Sequence, residues 1–446
     1  MASCASAPDA SFVVQRNGQF EVNGKPYYYI GTNFWYGATL GSTGQGGNRD
    51  RLLKELDFMK ANGITNLRVL VGSDGADGHP SKVRPALQTA PGVYNDTIFD
   101  GLDFFLAELG KRQMHAVLFL NNSWEWSGGY GQYLEWAGVA SNTADIKDWL
   151  QLKKQLSMYA TCDECKKMFF DHVKVVLSRT NRYTGTKYTE DPAIMAWQVG
   201  NEPRAFSSEA KPAFAQWVRE TTALIRSLDK NHLISIGSEG SIGCEGDMEL
   251  FEAMHADPNV DYLTIHIWPK NWSWISAVNP DALMAELKNN PMYGTPPDGA
   301  ATHPPLPDIA AMSDVAGQAD KAIEKTGEYI DSHTLIAEKL QKPFVIEEFG
   351  FPRDNHRYNL QDPVTGRDKY YRYIFSRLEE SYNRKGLLAG CNFWAWGGFG
   401  RSAHLFWHPW DDYLGDPSQE EQGLNAVFDV DSTIGLIKEY AERITK

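Results

Sequence analysis

A carboxylate and an amide stand side by side where an apolar segment ends, in the sequence WQVGNEPR of residues 197–204. Asn201 and Glu202 close the segment, and Pro203 stops the regular backbone after them. Asn and Glu are poor strand formers, and a charge at the end of a buried strand costs free energy unless another group interacts with it. The pair is therefore predicted to take part in chemistry.

Two more carboxylates end the apolar sequence PFVIEEFG of residues 343–350. Successive strand residues face opposite sides, so at most one of Glu347 and Glu348 is expected to point inward, and we favour Glu348. Retaining hydrolysis of a glycosidic bond requires two carboxyl groups about 5–5.5 Å apart, one as nucleophile and one as acid/base. Glu202 and Glu348 are the predicted pair, and Arg68 is the cation expected to keep the nucleophile ionised. The negative charge of its partner is expected to raise the pKa of the acid.

Aromatic and basic side chains accompany these carboxylates at other strand ends. The chain has 14 tryptophans, and many of them fall in loops that follow apolar segments. Exposed indoles that gather at one end of a fold indicate a binding cleft, here one for sugar rings. The residues predicted to bind substrate, besides Asn201 and Arg68, are His266, Trp268, Trp394, Trp35, Trp124 and Trp272. Glu239 is interpreted as structural, because the mechanism needs only two carboxylates.

Eight short apolar segments, separated by stretches with a helical apolar stripe, must position these side chains. Their composition is typical of parallel strands that are covered by helices. The segments are residues 27–33, 66–72, 115–121, 194–201, 233–239, 262–268, 343–350 and 390–397. Strand alternating with helix in this way predicts a (β/α)8 TIM barrel, whose active site lies at the carboxyl ends of the strands. A doubly wound open sheet is the alternative, but no glycine-rich phosphate loop follows the first strand.

Turn sequences precede the first barrel segment. Asn17-Gly18 predicts an N-terminal β-hairpin, and Asn23-Gly24 predicts a second turn. We expect this hairpin to close the bottom of the barrel. The proline-rich residues 289–312 are expected to form one of several long loops at the C-terminal face.

Composition suits a single catalytic domain over residues 12–446. The chain has 446 residues, of which 42% are hydrophobic and 22% charged. A net charge of −14 without clustered Lys and Arg argues against a nucleic acid partner, and no apolar run is long enough to be a transmembrane segment. The lone C-x-x-C of Cys162 and Cys165 does not predict a zinc site. No metal and no cofactor are predicted, and the protein is expected to be a monomer.

Residues 1–11 are small and polar and are expected to be a disordered chain end. They are also compatible with the remnant of an export signal, with Cys4 as the lipidated position. The protein is therefore expected to be secreted or to lie at the cell surface.

Four motifs, in their order on a barrel pattern, resemble glycoside hydrolase family 5, and within it the endo-β-1,4-mannanase branch. They are WQVGNEPR, TIHIWPKNW, PFVIEEFG and NFWAW, and the segments GTNFWYG and GDPSQEEQG near the two ends resemble that branch too. The resemblance covers residues 12–446. It implies an endo-acting retaining enzyme, with β-mannan polysaccharides and manno-oligosaccharides as substrates.

The resemblance also implies a role for each matched residue. Glu202 matches the acid/base of the family and Glu348 its nucleophile. Asn201 matches the residue that hydrogen-bonds the sugar 2-hydroxyl, and Arg68 matches the arginine that orients the nucleophile. Trp394 matches the platform under the sugar on the non-reducing side of the cleaved bond.

One motif departs from the family pattern. His266 matches the first residue of a His-x-Tyr, but Trp268 stands where the tyrosine is often found. An indole N–H can still donate a hydrogen bond to the nucleophile, although it cannot deprotonate. Two alternatives stay open: a retaining endo-β-1,4-glucanase of the same family, and a catalytically inactive polysaccharide-binding protein. The second is disfavoured because both carboxylates and Arg68 are present.

Overall fold

Eight parallel strands form a nearly closed barrel in a computed structural model that describes residues 12–79, 81–276, 314–356 and 360–445. The strands are β1 (Val14–Arg16), β2 (Gln19–Val22), β3 (Lys25–Pro26), β4 (Tyr29–Asn33), β5 (Ile64–Leu70), β6 (Gln88–Ala90), β7 (Val93–Tyr94), β8 (His115–Phe119), β9 (Ile194–Gln198), β10 (Leu233–Ser235), β11 (Leu263–Ile267), β12 (Phe344–Phe349), β13 (Leu388–Phe393), β14 (Trp396–Gly398) and β15 (Val427–Phe428). Hydrogen bonds join the barrel strands in the order β10, β9, β8, β5, β4, β13, β12, β11.

Helices cover the outside of this barrel. They are α1 (Gly37–Leu40), α2 (Arg49–Ala61), α3 (Asp96–Arg112), α4 (Gly129–Trp136), α5 (Trp149–Leu156), α6 (Asp163–Leu177), α7 (Lys211–Leu228), α8 (Met248–His255), α9 (Ala319–Leu340), α10 (Thr365–Arg384) and α11 (Thr433–Ile444). Each longer helix turns an apolar stripe inward, as the 3.6-residue period requires. In α7, for example, Phe214, Trp217 and Val218 are buried. The (β/α)8 prediction is confirmed.

Most barrel strands end earlier than the apolar segments that predicted them. The segment of residues 194–201 contains β9, which stops at Gln198, so Asn201 and Glu202 lie beyond the regular ladder. The backbone of Glu202 adopts a φ of +49°, in the left-handed region that non-glycine residues rarely occupy. Its N–H nevertheless donates to the Gly237 carbonyl, at 3.0 Å. Local strain of this kind is tolerated where a functional side chain must be aimed.

The N-terminal hairpin lies against the barrel bottom, as predicted. Strands β1 and β2 pair in antiparallel fashion around Asn17-Gly18. Phe20 is fully buried and meets Tyr262, just before β11, edge to face at 5.2 Å. Gln19 donates to the Gly386 carbonyl before β13, at 2.9 Å. The hairpin therefore covers the amino-terminal ends of these strands, opposite the predicted active site.

The pairing of β11 with β12 is irregular at the position of the two glutamates. Ile265 pairs with Ile346 and His266 pairs with Glu348, so Glu347 is an extra residue in β12. A β-bulge of this kind interrupts the alternation of side chains along a strand. Both carboxylates consequently reach the barrel interior, which corrects the expectation that at most one of them would.

Several loops at the carboxyl-terminal face are long, as predicted. The connection from β8 to β9 contains α4, α5 and α6, and Cys162 forms a disulfide with Cys165 at the start of α6. The predicted proline-rich loop of residues 289–312 and the predicted disordered end of residues 1–11, with Cys4, lie outside the described residues. Among the helices of the described ranges, none has the length and apolar character needed to span a membrane.

Asp416 holds the loop between β14 and β15. Its carboxylate is fully buried and accepts hydrogen bonds from three backbone N–H groups, those of Gly423 at 2.9 Å, Asn425 at 3.1 Å and Ala426 at 3.3 Å. A single side chain thus replaces the ladder bonds that this irregular loop lacks. The loop it fixes forms part of the cavity described below.

We expect Asp416→Ala to lower the free energy of unfolding by about 2–4 kcal/mol, because it leaves buried backbone N–H groups without an acceptor. Chemical denaturation followed by fluorescence measures this change. The control is Asp320→Ala, since Asp320 is 78% exposed and forms a surface ion pair with Lys369; its effect should stay within about 0.5 kcal/mol. Equal effects of the two substitutions would contradict the anchoring role of Asp416.

Candidate active site

Arg68 organises the polar residues at the carboxyl-terminal end of the barrel. Its guanidinium is fully buried and donates to Asn33 at 3.0 Å, to Gln198 at 2.8 Å and to Asn201 at 3.0 Å. It also donates to the Glu348 carboxylate in a short, charge-assisted contact. One cation therefore joins side chains that belong to β4, β5, β9 and β12. A buried arginine needs such a set of partners, because an unpaired charge there would be strongly destabilising.

Glu202 receives two hydrogen bonds, one on each carboxylate oxygen. His266 Nδ1 lies 2.8 Å from Oε1, and Trp124 Nε1 donates to Oε2 at 2.5 Å. The Ser123 hydroxyl donates to the backbone carbonyl of Glu202, at 2.5 Å. These contacts fix the carboxylate at the rim of the barrel.

Glu348 faces Glu202 from the opposite side. Trp268 Nε1 donates to Glu348 Oε2 at 3.2 Å, so the indole at this position does contact the predicted nucleophile. His266 Nδ1 lies 3.4 Å from the same oxygen. One nitrogen or oxygen atom from each of Glu202, His266 and Glu348 lies within 4.8 Å of the others. This separation fits a two-carboxylate site with about 5 Å between the groups.

Burial and neighbouring charges distribute the protons of this cluster. Burial raises the pKa of Glu348 to about 7, and the negative charge of Glu202 adds to the rise. Burial acts in the same direction on Glu202, but the hydrogen bond and charge of His266 outweigh it and hold the Glu202 pKa below its usual value. The pKa of His266 is raised to about 9, because the negative charges of Glu348 and Glu202 outweigh its burial.

Burial therefore favours the protonated form of Glu348, whereas the contact with His266 lowers the pKa of Glu202 and favours its ionised form. The sequence prediction was the reverse, namely that the charge of its partner would raise the pKa of Glu202. Its reasoning omitted the hydrogen bond between His266 and Glu202, which lowers the pKa of that carboxyl.

A cavity of about 460 Å³ opens directly above these groups. Its aromatic wall consists of Trp124, Trp126, Trp149, Trp268, Trp272 and Trp394. Its polar lining consists of Glu125, Asn201, Glu202, Arg204, Glu239, Asn271, Glu348, Gln419 and Glu420. This size and this mixture of indoles and polar groups are typical of a small-molecule or sugar site.

The cavity brings together most of the residues predicted to bind substrate, which are Asn201, Trp124, Trp268, Trp272 and Trp394. Arg68 and His266 are fully buried and lie beneath the carboxylates, not on the cavity wall. They hold the reacting groups in position.

Trp35 lies outside this cavity. It is 1% exposed, its indole N–H donates to the Gly415 carbonyl at 2.6 Å, and its ring packs against Trp126 at 5.3 Å. Trp126 in turn meets Trp394 edge to face, at 6.3 Å. This placement corrects the prediction that Trp35 contacts substrate: it supports the aromatic wall from behind.

Among the cavity residues, the sequence analysis missed Arg204, Trp149 and Glu420, whereas it had interpreted Glu239 as structural. Arg204 and Glu239 form a bidentate ion pair on the wall, one contact being 2.6 Å, and Arg204 lies 5.2 Å from the centre of the Trp124 ring. Arg204 directly follows the Asn-Glu-Pro motif, so its position in the sequence already indicated that it lies near the site. Trp149 and Glu420 do not directly follow a barrel strand. A search for polar and aromatic residues at strand ends therefore could not find them.

The same three central groups form the one Glu/His cluster of the described residues that could hold a metal ion. However, each of the four carboxylate oxygens of Glu202 and Glu348 already accepts a hydrogen bond, from His266, Trp124, Arg68 or Trp268. A cation would have to compete with these donors.

We expect Arg68→Met to lower the free energy of unfolding by about 3–5 kcal/mol near pH 8, because it leaves the Glu348 charge buried without its cation. The loss should be smaller at pH 5. With a pKa near 7, Glu348 is protonated there, and a neutral carboxyl does not need the cation. Denaturation at the two pH values measures the difference.

The matched control is Arg377→Met, which removes a surface ion pair to Asp331, itself 65% exposed. Its effect should be below about 1 kcal/mol at both pH values. A loss for Arg68→Met that is the same at pH 5 and pH 8 would contradict the electrostatic explanation.

Comparison with known proteins agrees with this geometry. The family model described as "GH family 5 beta-mannosidase-like" matches residues 10–291 and 309–446. A crystal structure of a glycoside hydrolase family 5 mannosidase from Rhizomucor miehei is 31% identical, covers 98% of each chain and superposes with a TM-score of 0.80. A mutant of that enzyme in complex with mannosyl-fructose superposes with a TM-score of 0.81, at 31% identity and over 98% of this chain and 97% of that one.

Curated relatives point the same way. Mannan endo-1,4-beta-mannosidase 7 of Arabidopsis thaliana is 28% identical over 400 residues, which make up 87% of this chain and 78% of the relative. The family model matches nearly the whole chain, and the barrel carries both predicted carboxylates at its strand ends. The protein therefore belongs to the beta-mannosidase-like group of glycoside hydrolase family 5.

Proposed function

We propose that this protein is an endo-acting, retaining β-1,4-mannanase, which hydrolyses internal β-1,4-mannosidic bonds of mannan, glucomannan or galactomannan. The observation that carries the proposal is the pair of buried carboxylates, Glu202 and Glu348, within 4.8 Å of His266 and of each other, under a cavity walled by indoles. The relatives named as mannan endo-1,4-beta-mannosidases support the substrate class.

In the first step, Glu348 attacks the anomeric carbon and the bond to the leaving oxygen breaks. Glu202 gives its proton to that oxygen, and a covalent glycosyl-enzyme forms. For this step Glu348 must be ionised and Glu202 protonated. His266 Nδ1 lies 2.8 Å from one carboxylate and 3.4 Å from the other, so the proton can move between them through this nitrogen. Arg68 stabilises the ionised nucleophile.

In the second step, Glu202 takes a proton from water as that water attacks the anomeric carbon. The Glu348 ester bond breaks, and two inversions give net retention. Asn201 is held rigidly for its role beside the sugar, since its side chain accepts from Arg68 at 3.0 Å and donates to Asn122 at 3.2 Å. Its contact with the 2-hydroxyl would strengthen as charge develops on the ring, which contributes to the rate and not only to binding.

A second candidate is an enzyme that removes single mannosyl units from chain ends. It is favoured by the similarity to the Rhizomucor miehei enzyme named a mannosidase, which extends over 98% of both chains. The two remaining alternatives are a retaining endo-β-1,4-glucanase and an inactive polysaccharide-binding protein. We expect the enzyme to act as a monomer and to be secreted or located at the cell surface.

We expect hydrolysis of mannan, glucomannan and galactomannan, with activity at least about tenfold above that on a soluble cellulose, since hydroxyl contacts discriminate sugars at this level. Release of reducing ends, with chromatography of the products, measures both points. A mixture of short manno-oligosaccharides from the first minutes supports endo action, whereas mannose alone would favour the second candidate. Preference for cellulose would contradict the mannan assignment, and no activity on any polysaccharide would favour a binding protein.

Azide rescue separates the roles of the two carboxylates. Glu348→Ala should lose turnover of all substrates, and added azide should then give an α-mannosyl azide by direct attack. Glu202→Ala should lose hydrolysis of mannan but keep the first step on an aryl mannobioside with an acidic phenol, which leaves without protonation. Azide should accelerate this variant and give the β-azide. A β-azide from Glu348→Ala, with an α-azide from Glu202→Ala, would mean that the roles are reversed.

A further inference from the structure

The geometry points to a sugar subsite that the sequence analysis did not select. We propose that the indole of Trp149 stacks on a pyranose ring on the leaving-group side of the cleaved bond, one unit beyond the sugar that borders Trp124. This inference rests on the proposed function in one respect, namely that Glu202 protonates the leaving oxygen.

Trp149 has the exposure of a binding residue and not of a core residue. It lines the cavity above the two carboxylates, yet 46% of its surface is open to solvent. It begins helix α5, in which Leu156 is the buried residue. A large indole that is half open inside a cavity offers apolar surface that a ligand can cover.

The position of Trp149 relative to Glu202 assigns it to the leaving-group side. Trp124 donates to Glu202 and so borders the proton that the leaving oxygen receives. Trp149 stacks next to Trp124, with ring centres 6.0 Å apart and planes inclined by 28°. The two indoles therefore form consecutive platforms that lead away from Glu202, with Trp149 as the outer one.

The platform is held in place before any sugar binds. Asp148 caps α5 by accepting from the Gln151 backbone N–H at 2.7 Å. Lys153 lies 5.9 Å from the Trp149 ring centre and forms an ion pair with Glu245 at 2.8 Å. This pair joins α5 to the connection between β10 and α8, which also contributes Ile242 to the cavity. A preorganised platform loses little entropy when a ligand binds.

Stacking also defines the class of ligand. An indole covers the apolar C–H face of a pyranose ring, and this contact does not distinguish sugars that differ in the orientation of a hydroxyl group. The outer subsite should therefore accept mannosyl and glucosyl units alike, whereas selection for mannose takes place nearer the carboxylates. The proposed subsite would in this way allow glucomannan to bind with glucose at this position.

Cleavage positions on mannopentaose labelled with ¹⁸O at its reducing end test the proposal. Wild type, Trp149→Ala, Trp149→Phe and the control Leu150→Ala are compared by mass spectrometry. Leu150 is 76% exposed, is the next residue of α5 and does not line the cavity. Circular dichroism and thermal unfolding check that each variant is folded.

For Trp149→Ala we expect fewer cleavages that leave two or more sugars on the reducing side. We also expect a rise in KM for mannopentaose of about 3- to 10-fold, in the range of a lost aromatic contact, with kcat changed much less. Trp149→Phe should restore most of the wild-type pattern, and Leu150→Ala should match wild type. The KM for an aryl mannobioside, whose phenol ends at the first subsite, should not change.

If Trp149→Ala and Leu150→Ala cleave mannopentaose at the same positions and in the same proportions, the proposal is overturned. If the wild type fails to hydrolyse mannopentaose, the proposed function fails. The subsite is then tested separately, by measuring the binding of oligosaccharides to the Glu202→Gln variant by calorimetry. Adding Trp149→Ala to Glu202→Gln should weaken the binding of mannotetraose and of cellotetraose by similar factors. Unchanged affinity for both would again overturn the subsite.

Discussion

The buried guanidinium of Arg68 is the constraint on which the active site depends. It is fully excluded from solvent and has hydrogen bonds to Asn33, Gln198, Asn201 and Glu348. A planar, always charged group with five N–H donors accepts only a limited arrangement of partners. The ends of four barrel strands, β4, β5, β9 and β12, must therefore meet at fixed distances before the charge is compensated. The same arrangement that satisfies the cation also orients the nucleophile, so folding of the barrel and assembly of the catalytic site are coupled.

This coupling explains the irregular backbone around the site. A regular β12 would turn one of its two glutamates outward, but the bulge at Glu347 brings both into the interior. Glu347 then accepts from Gln198 at 2.6 Å and lies 3.6 Å from the Arg68 guanidinium. Glu202, beyond the end of β9, takes a φ of +49°. Costs of this kind, roughly 1–3 kcal/mol for each strained residue, are stored where the rest of the fold over-determines the geometry.

The sequence predicted the parts that follow simple periodicity. Alternation of apolar segments and helical stripes specified the barrel, and the polar residues at strand ends specified Glu202, Glu348 and Asn201. It did not predict the bulge at Glu347, because register depends on hydrogen bonds between strands that are distant in sequence. Nor did it predict the burial of Trp35, since an indole after a barrel strand can face either the cavity or its supporting layer. Nor did it predict the lowered pKa of Glu202, because this shift depends on the 2.8 Å contact of His266 with Glu202.

The site thus has two kinds of structural support. Strand ends hold the reacting groups, and they share Arg68 as a common partner. Loops supply the cavity wall, and several of them have a polar anchor of their own instead of ladder hydrogen bonds. Asp416 binds three backbone N–H groups of one loop, the Arg204–Glu239 ion pair fixes a second, and the Lys153–Glu245 pair ties α5 to a third. Because these anchors are separate from the contacts of Arg68, the cavity wall and the reacting groups are held by different sets of interactions.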